Sequence, residues 1–143
     1  MTPEEVDAFL RVQRTCRVGV VAAGNVPHVS ALWFCWDGES MWLHSLTKSR
    51  RWAALERNPA VSVVVDAGHD YFELHGVELI GEVEVVGEIP RIGEKNPELD
   101  VPERIFSAKY HDGTGFTYDG RHAWMRLRPR KMVSWDFRKL AAL

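Results

Sequence analysis

Three consecutive stretches of this chain alternate apolar and polar residues with a period of two: RVGVVAA (17–23), HVSALWFCW (28–36) and MWLHSL (41–46). That period is the mark of half-buried strands. The breaks between them are too short for a crossover. GNVP turns the first, and DGES holds an Asp37-Gly38 hairpin signal before the third. The three strands must therefore form an antiparallel meander. VSVVVD (61–66) is almost continuously apolar, which predicts a strand covered on both faces. YFELHGVELIGEVEVVG (71–87) is long for one strand, and Gly76 and Gly81 mark bulges or bends within it. HAWMRLRP and KMVSWDF give two last strands, turned by Pro129-Arg130. The expected fold is mainly β, with six to seven antiparallel strands. A small closed barrel suits that number because closure removes the sheet edges.

Three short helices flank the strands. Thr2 caps the first, Pro3 suits its first turn and Glu5 closes a capping box; Val6, Phe9 and Leu10 form its apolar stripe. The second covers 48–58, with Ser49 or Thr47 as cap and Asn58-Pro59 as stop; Trp52, Ala53 and Leu55 are its apolar positions. Glu88 to Pro102 reads as a loop, and a third helix runs from Pro102 to Tyr110.

The 143 residues suit one domain, 1–143. A net charge of -2 gives no global attraction to nucleic acid, so any anion site is local. Cys16 and Cys35 form no CxxC motif, and with no signal peptide a reducing, cytoplasmic setting is expected. No apolar run reaches the roughly 20 residues of a membrane span, so no membrane partner is expected. The six Trp are more informative than the charge; flat rings fill cores, and they also line planar-ligand sites and subunit interfaces.

The second helix breaks a local rule. Lys48, Arg50 and Arg51 crowd its first turn, where the helix dipole disfavours each cation by ~0.3–1 kcal/mol. A solvated cluster neutralised by nearby Asp or Glu is one explanation. A phosphate site is the other: N-terminal N–H groups point at the anion, the cations close around it, and Thr47 and Ser49 add hydroxyls. The strand at Ser30 to Trp33, two strands before the helix and beside the one that feeds it, then offers an edge along which the ring of a flat ligand can lie. None of the six histidines has HxxxH or HExxH spacing, and His28 with His44 is the one pair placed to meet across strands, so no metal is expected. No GxSxG elbow and no strand-linked GxGxxG occur, which removes a Ser hydrolase and a Rossmann site.

PHVSALWF, LTKSRRWAALERNPAVSVVVD, GVELIGEVEVV and WMRLRPRKMVSWDF together resemble the split β-barrel flavin/deazaflavin oxidoreductases. That family includes pyridoxamine 5′-phosphate oxidase and small coenzyme F-420-dependent reductases. The most specific part is Ser49-Arg50-Arg51 through Leu55 to Asn58-Pro59. The resemblance implies a split barrel in which Thr47, Lys48, Ser49, Arg50 and Arg51 hold the cofactor phosphate. It implies that His28, Val29, Ser30 and Ala31, with Leu32 and Trp33 beyond, lie against the ring. It implies a homodimer whose two subunits line each site, with Lys109, Tyr110 and Trp124 as the partner's candidates. The longer oxidase carries an Arg- and His-rich substrate-phosphate pocket that has no counterpart here, which turns the expectation toward the F-420 reductases.

The expected activity is hydride transfer from reduced F-420 to a small conjugated organic substrate. FMN in the same barrel, or a non-catalytic flavin or haem carrier, are the alternatives. No catalytic residue is singled out; water, His28, His44 and Tyr110 are all able to supply a proton. Lys48, Arg57 and the basic run 126–131 are expected to serve the outlying charges of F-420.

Overall fold

The computed structural model describes residues 1–140; the last three positions of the expected domain, 141–143, lie outside the described residues. Six strands make a closed antiparallel barrel: β1 (Thr15–Ala22), β2 (Val26–Trp36), β3 (Met41–Leu46), β4 (Ala60–Ala67), β5 (His75–Val86) and β6 (His122–Asp136). Their order around the barrel is β1-β2-β3-β6-β5-β4. Three α-helices accompany them: α1 (Pro3–Val12), α2 (Arg50–Arg57) and α3 (Pro97–Tyr110).

Alternation sorts the strand side chains. Val18 and Val20, Val61, Val63 and Val65, and Val77 and Leu79 fill the barrel interior with Phe34, Leu43 and Met125. α1 plugs that core with Val6, Phe9 and Leu10, and its Thr2/Glu5 capping box forms as expected. α3 covers the outside of β2, β3 and β6, where Cys35, Trp42, Val86, Leu99, Phe106 and Trp124 make a second cluster. Trp36, Trp42, Trp52 and Trp124 are buried, so core filling accounts for four of the six. No helix among the described residues is long and apolar enough to cross a membrane.

Four expectations need correction. β4 is covered on one face only: Val61, Val63 and Val65 are buried, while Ser62 and Val64 stay half-buried on the outside. A barrel has a single interior, so an apolar strand alone does not imply a second cover. The two terminal strands are one, β6. Gly81 pairs with Pro129 and Ile80 with Lys131, so Arg130 is an extra residue and Pro129-Arg130 forms a bulge that bends the strand without reversing it. A Cβ at Gly81 would meet Leu127 Cδ1 at 3.0 Å and the Arg128 carbonyl oxygen at 3.1 Å, which is why the bend carries glycine. α3 starts at Pro97, capped by Asn96, with Pro102 inside it. Pro97 in the first turn is the true start signal. Within α2, Ala54 and not Ala53 is buried beside Trp52 and Leu55.

Candidate active site

The site sits where the barrel ladder is incomplete. β2 pairs with β1 from Val26 to Trp33, but with β3 only over Phe34, Cys35 and Trp36. Residues 26–33 therefore present an edge with no strand beside it. The backbone N–H and C=O of Phe34 turn toward the β1 side, where the Tyr110 hydroxyl accepts the N–H at 3.2 Å. Strand alternation then turns the backbone groups of Val29, Ala31 and Trp33 toward the open edge.

The chain leaves β3 and enters α2, and this brings Arg51 into the gap. Its Nε donates to Ser45 Oγ at 3.1 Å and its Nη1 to Ser30 Oγ at 2.7 Å. Arg51 is 7% exposed, yet no carboxylate lies within 4.0 Å of Lys48, Arg50 or Arg51 among the described residues. The neutralised-cluster explanation of the basic helix start fails on that point. Burial lowers the Arg51 pKa from its ordinary value, as expected for a charge drawn out of water. The guanidinium has five N–H donors, and two are used within the chain. Nη2 has no partner within the chain, and since no buried side-chain nitrogen or oxygen among the described residues lacks a partner, that group is not sealed from solvent.

That space is a cleft of about 260 Å³ lined by Ala31, Leu32, Trp33, His44, Leu46, Arg51, Phe106 and His122. The fold brings four expected residues together here: Ala31, Leu32, Trp33 and Arg51. Ser30 joins them through its bond to Arg51. Lys48 and Arg50 are exposed at the same helix end. Ser49 caps α2 by accepting the Trp52 N–H at 3.0 Å, and its hydroxyl also lies 2.9 Å from the Leu46 carbonyl oxygen. Thr47 donates through both N–H and Oγ1 to the Arg121 carbonyl, so its hydroxyl fixes the loop between β3 and α2. His28 and Val29 line a separate outer groove with Gly19, Pro27 and Ser62.

His28 and His44 do not meet. His28 pairs with Val20 on β1, whereas His44 pairs with Trp124 on β6. His44 stacks on His122 at 4.5 Å and touches the rings of Phe106, Phe116 and Trp124. Burial, followed by His122, pushes its pKa down to about 3, so the ring is neutral at pH 7. His122 is in turn held by Asp119, whose carboxylate accepts from Nδ1. Sequence reasoning missed His122, Asp119 and Phe106, because the loop 111–121 and α3 meet β3 only in three dimensions.

Lys109 Nζ donates to the Phe34 carbonyl at 3.2 Å and lies 4.0 Å over its ring; burial lowers its pKa to about 8. Tyr110 Oη lies 2.7 Å from the same carbonyl, and burial pushes the phenol's pKa up. Its ring stacks on Trp33 at 4.2 Å and 10°. Trp124 is fully buried and donates to Glu103 Oε2 at 3.0 Å, so it is core and not surface. The run 126–131 is less free than expected, because Arg126 is bound to Glu84 and Glu98 and Arg128 lies near Glu84. Among the described residues no three His, Cys, Asp or Glu side chains group as a metal site does.

Comparison with known proteins bears on this geometry. No curated protein matches the chain. A conserved hypothetical protein from Mycobacterium tuberculosis is 28% identical, with a TM-score of 0.79 over 99% of this chain and 88% of that one. An F-420 reductase is 24% identical, with a TM-score of 0.68 over 92% of this chain and 98% of that one. The haem storage protein HutZ from Vibrio cholerae is 18% identical, with a TM-score of 0.71 over 91% and 92%. The last two likenesses show the fold alone. Residues 2–136 match the family described as pyridoxamine 5′-phosphate oxidase, and the chain belongs to that family.

Proposed function

We propose that this protein is an oxidoreductase that binds coenzyme F-420 in the Arg51 cleft and reduces a small conjugated organic substrate. The observation that carries the reading is Arg51 itself. A buried guanidinium without a carboxylate is costly unless an anion completes it, and this one faces a cleft at a helix N-terminus. The cofactor phosphate supplies that anion, and the exposed Lys48 and Arg50 lie at the same end. The open edge of β2 at Ala31 and Trp33 holds the ring by backbone hydrogen bonds, with Leu32 and Trp33 supplying apolar contact. Reduced F-420, when bound, supplies a hydride at C5; the protein binds and orients it.

F-420 is preferred to FMN because it carries further negative charges beyond its first phosphate, and Arg57 lies about two turns beyond Arg50 on the same face of α2. Both line a groove with Ala22, Ala23 and Val26. Calorimetry with each cofactor at two ionic strengths tests this. F-420 is expected to bind tighter, with an affinity that falls as salt rises. FMN binding tighter at both salts makes this an FMN enzyme of the same barrel. His44 favours a second reading, a non-catalytic haem or flavin carrier, since a neutral imidazole is also a haem ligand; a Soret band in the purified protein would select it.

The working unit in this proposal is a homodimer. Val133, 40% exposed, and the half-buried Ile80 lie on the outer face of β5 and β6, an apolar area that a second copy would cover. Sedimentation at low micromolar concentration is expected to show a dimer, and a monomer that still binds cofactor would remove the two-subunit site.

A further inference from the structure

The cleft has a second polar end, and the phosphate site does not use it. His122 and His44 form part of its wall, with Phe106 beside them. His122 is anchored: Nδ1 gives its proton to Asp119 Oδ2, and Asp119 Oδ1 accepts the backbone N–H groups of Arg121 at 2.9 Å and His122 at 3.0 Å. These bonds hold the carboxyl down at about 2 against the burial that would raise it, so it stays ionised. With Nδ1 occupied, any further proton on the His122 ring sits on Nε2, which has no partner among the described residues. Neither ring nitrogen of His44 has a partner either, and none of these atoms is sealed off. A carboxylate–imidazole pair is thus aimed by its own backbone bonds into an aromatic cleft.

We propose that His122 Nε2, positioned by Asp119, is the proton-donating anchor for the oxygen of a flat conjugated carbonyl substrate. This rests on the oxidoreductase reading above and names its substrate class. The ring or enone packs among Leu32, Trp33 and Phe106, which line the cleft with His122, and its carbonyl oxygen accepts from Nε2. A bound reduced cofactor would supply a hydride to the far carbon of the conjugated double bond. The electron pair of that double bond shifts toward the carbonyl, and the oxygen takes the Nε2 proton. The product is an enol that becomes the saturated ketone in water, and His122 is left neutral, to be reprotonated from solvent. Three groups stand around the His122 ring: Asp119 at Nδ1, the neutral His44 stacked on it, and Arg51 in the wall of the same cleft; His111 lies beyond them against Phe106. Asp119 is the only anion among them.

4-Nitrophenol, a planar ring with an anionic oxygen near neutral pH, is the probe, titrated into the cofactor-free protein by its phenolate absorbance. Saturable binding is expected, weakened roughly tenfold or more in His122→Gln and His122→Asn, in line with loss of a charge-assisted hydrogen bond. Asp119→Asn is expected to move the pH midpoint of probe binding downward, a shift that a merely structural role would not produce. Circular dichroism confirms folding of each variant. Absence of saturable binding, or equal binding by wild type and both His122 variants, overturns the assignment, as does binding lost only in Arg51→Ala. Probe binding does not require the cofactor, so its failure with cofactor binding intact overturns this inference alone. Failure of cofactor binding with probe binding intact overturns the oxidoreductase reading and the reductive step that rests on it, and leaves His122 as an oxygen anchor only.

Discussion

Replacing His44 by Phe should flatten the pH dependence of stability between pH 7 and pH 5. The folded pKa of His44 is depressed from 6.5 to about 3, so the unfolded chain binds the extra proton first as pH falls. Stability is therefore fully present above the unfolded value and is lost as pH drops toward the folded one. Well below 6.5 the slope approaches ~1.4 kcal/mol per pH unit, which amounts to about 2 kcal/mol between pH 7 and pH 5. The lowered carboxylates Glu5, Glu88, Asp119 and Asp136 do not interfere, because their stabilisation fades only below their ordinary values of 4.5 and 3.8. Phe fits the site, whose neighbours are Phe106, Phe116, Trp124 and His122. Urea unfolding of both proteins at the two pH values is the assay. Wild type should lose about 2 kcal/mol more than His44→Phe over that interval. His44→Gln serves as a second variant should the ring swap perturb packing. Equal losses in wild type and both variants would refute the claim that His44 is held neutral by burial.

Arg51→Ala is expected to weaken cofactor binding by about 1.5–3 kcal/mol, the range for hydrogen bonds to charged groups, with little loss of folding because it removes an unpaired buried charge; calorimetry and a thermal melt read the two effects separately. Gly76→Ala should destabilise by about 1–3 kcal/mol, because the added Cβ would come within 2.7 Å of the Val65 carbonyl oxygen and of the Trp135 ring; a melt like that of wild type would contradict it. Glu103→Gln leaves Arg91 short of a buried partner that it contacts at 2.7 Å, and also disturbs the Trp124 and Tyr118 bonds. A loss of about 3–5 kcal/mol in urea unfolding is expected, and under 1 kcal/mol would show that Glu88 alone suffices.

Local signals were legible where a local cause acts. The Thr2 cap, the Asp37-Gly38 hairpin and the period-two runs each fix their element within a few residues. β3 runs Met41–Leu46 as its alternation predicts. The basic start of α2 was also legible, because cations there oppose the helix dipole whatever the fold. What failed depends on distant partners. Whether β4 is covered twice depends on what packs outside the barrel, and whether Pro129 turns or bends the chain depends on the register of β5 beside it. The sequence also could not divide residues 28–33 between two surfaces. Ala31, Leu32 and Trp33 reach the cleft and His28 and Val29 the outer groove because β3 stops pairing at Phe34.

The same mismatch of strand lengths explains why the proposed binding site and the seam of the barrel with the fewest paired residues coincide. β2 has 11 residues and β3 has six, so part of the β2 edge is left without a ladder partner. A side chain has to fill the gap, and Arg51 does so with two serine hydroxyls in place of backbone pairing. An apolar residue there would close the seam more stably but leave nothing for an anion. With Arg51, the free protein carries a buried cation whose unpartnered Nη2 is open to solvent in a residue that lines the cleft, and in the proposed function a bound anion would satisfy it. Binding and folding are then coupled at one point. A cofactor held at 100 times its dissociation constant adds about 2.7 kcal/mol to stability, and in Arg51→Ala that gain should shrink along with the affinity while the fold of the empty chain is retained.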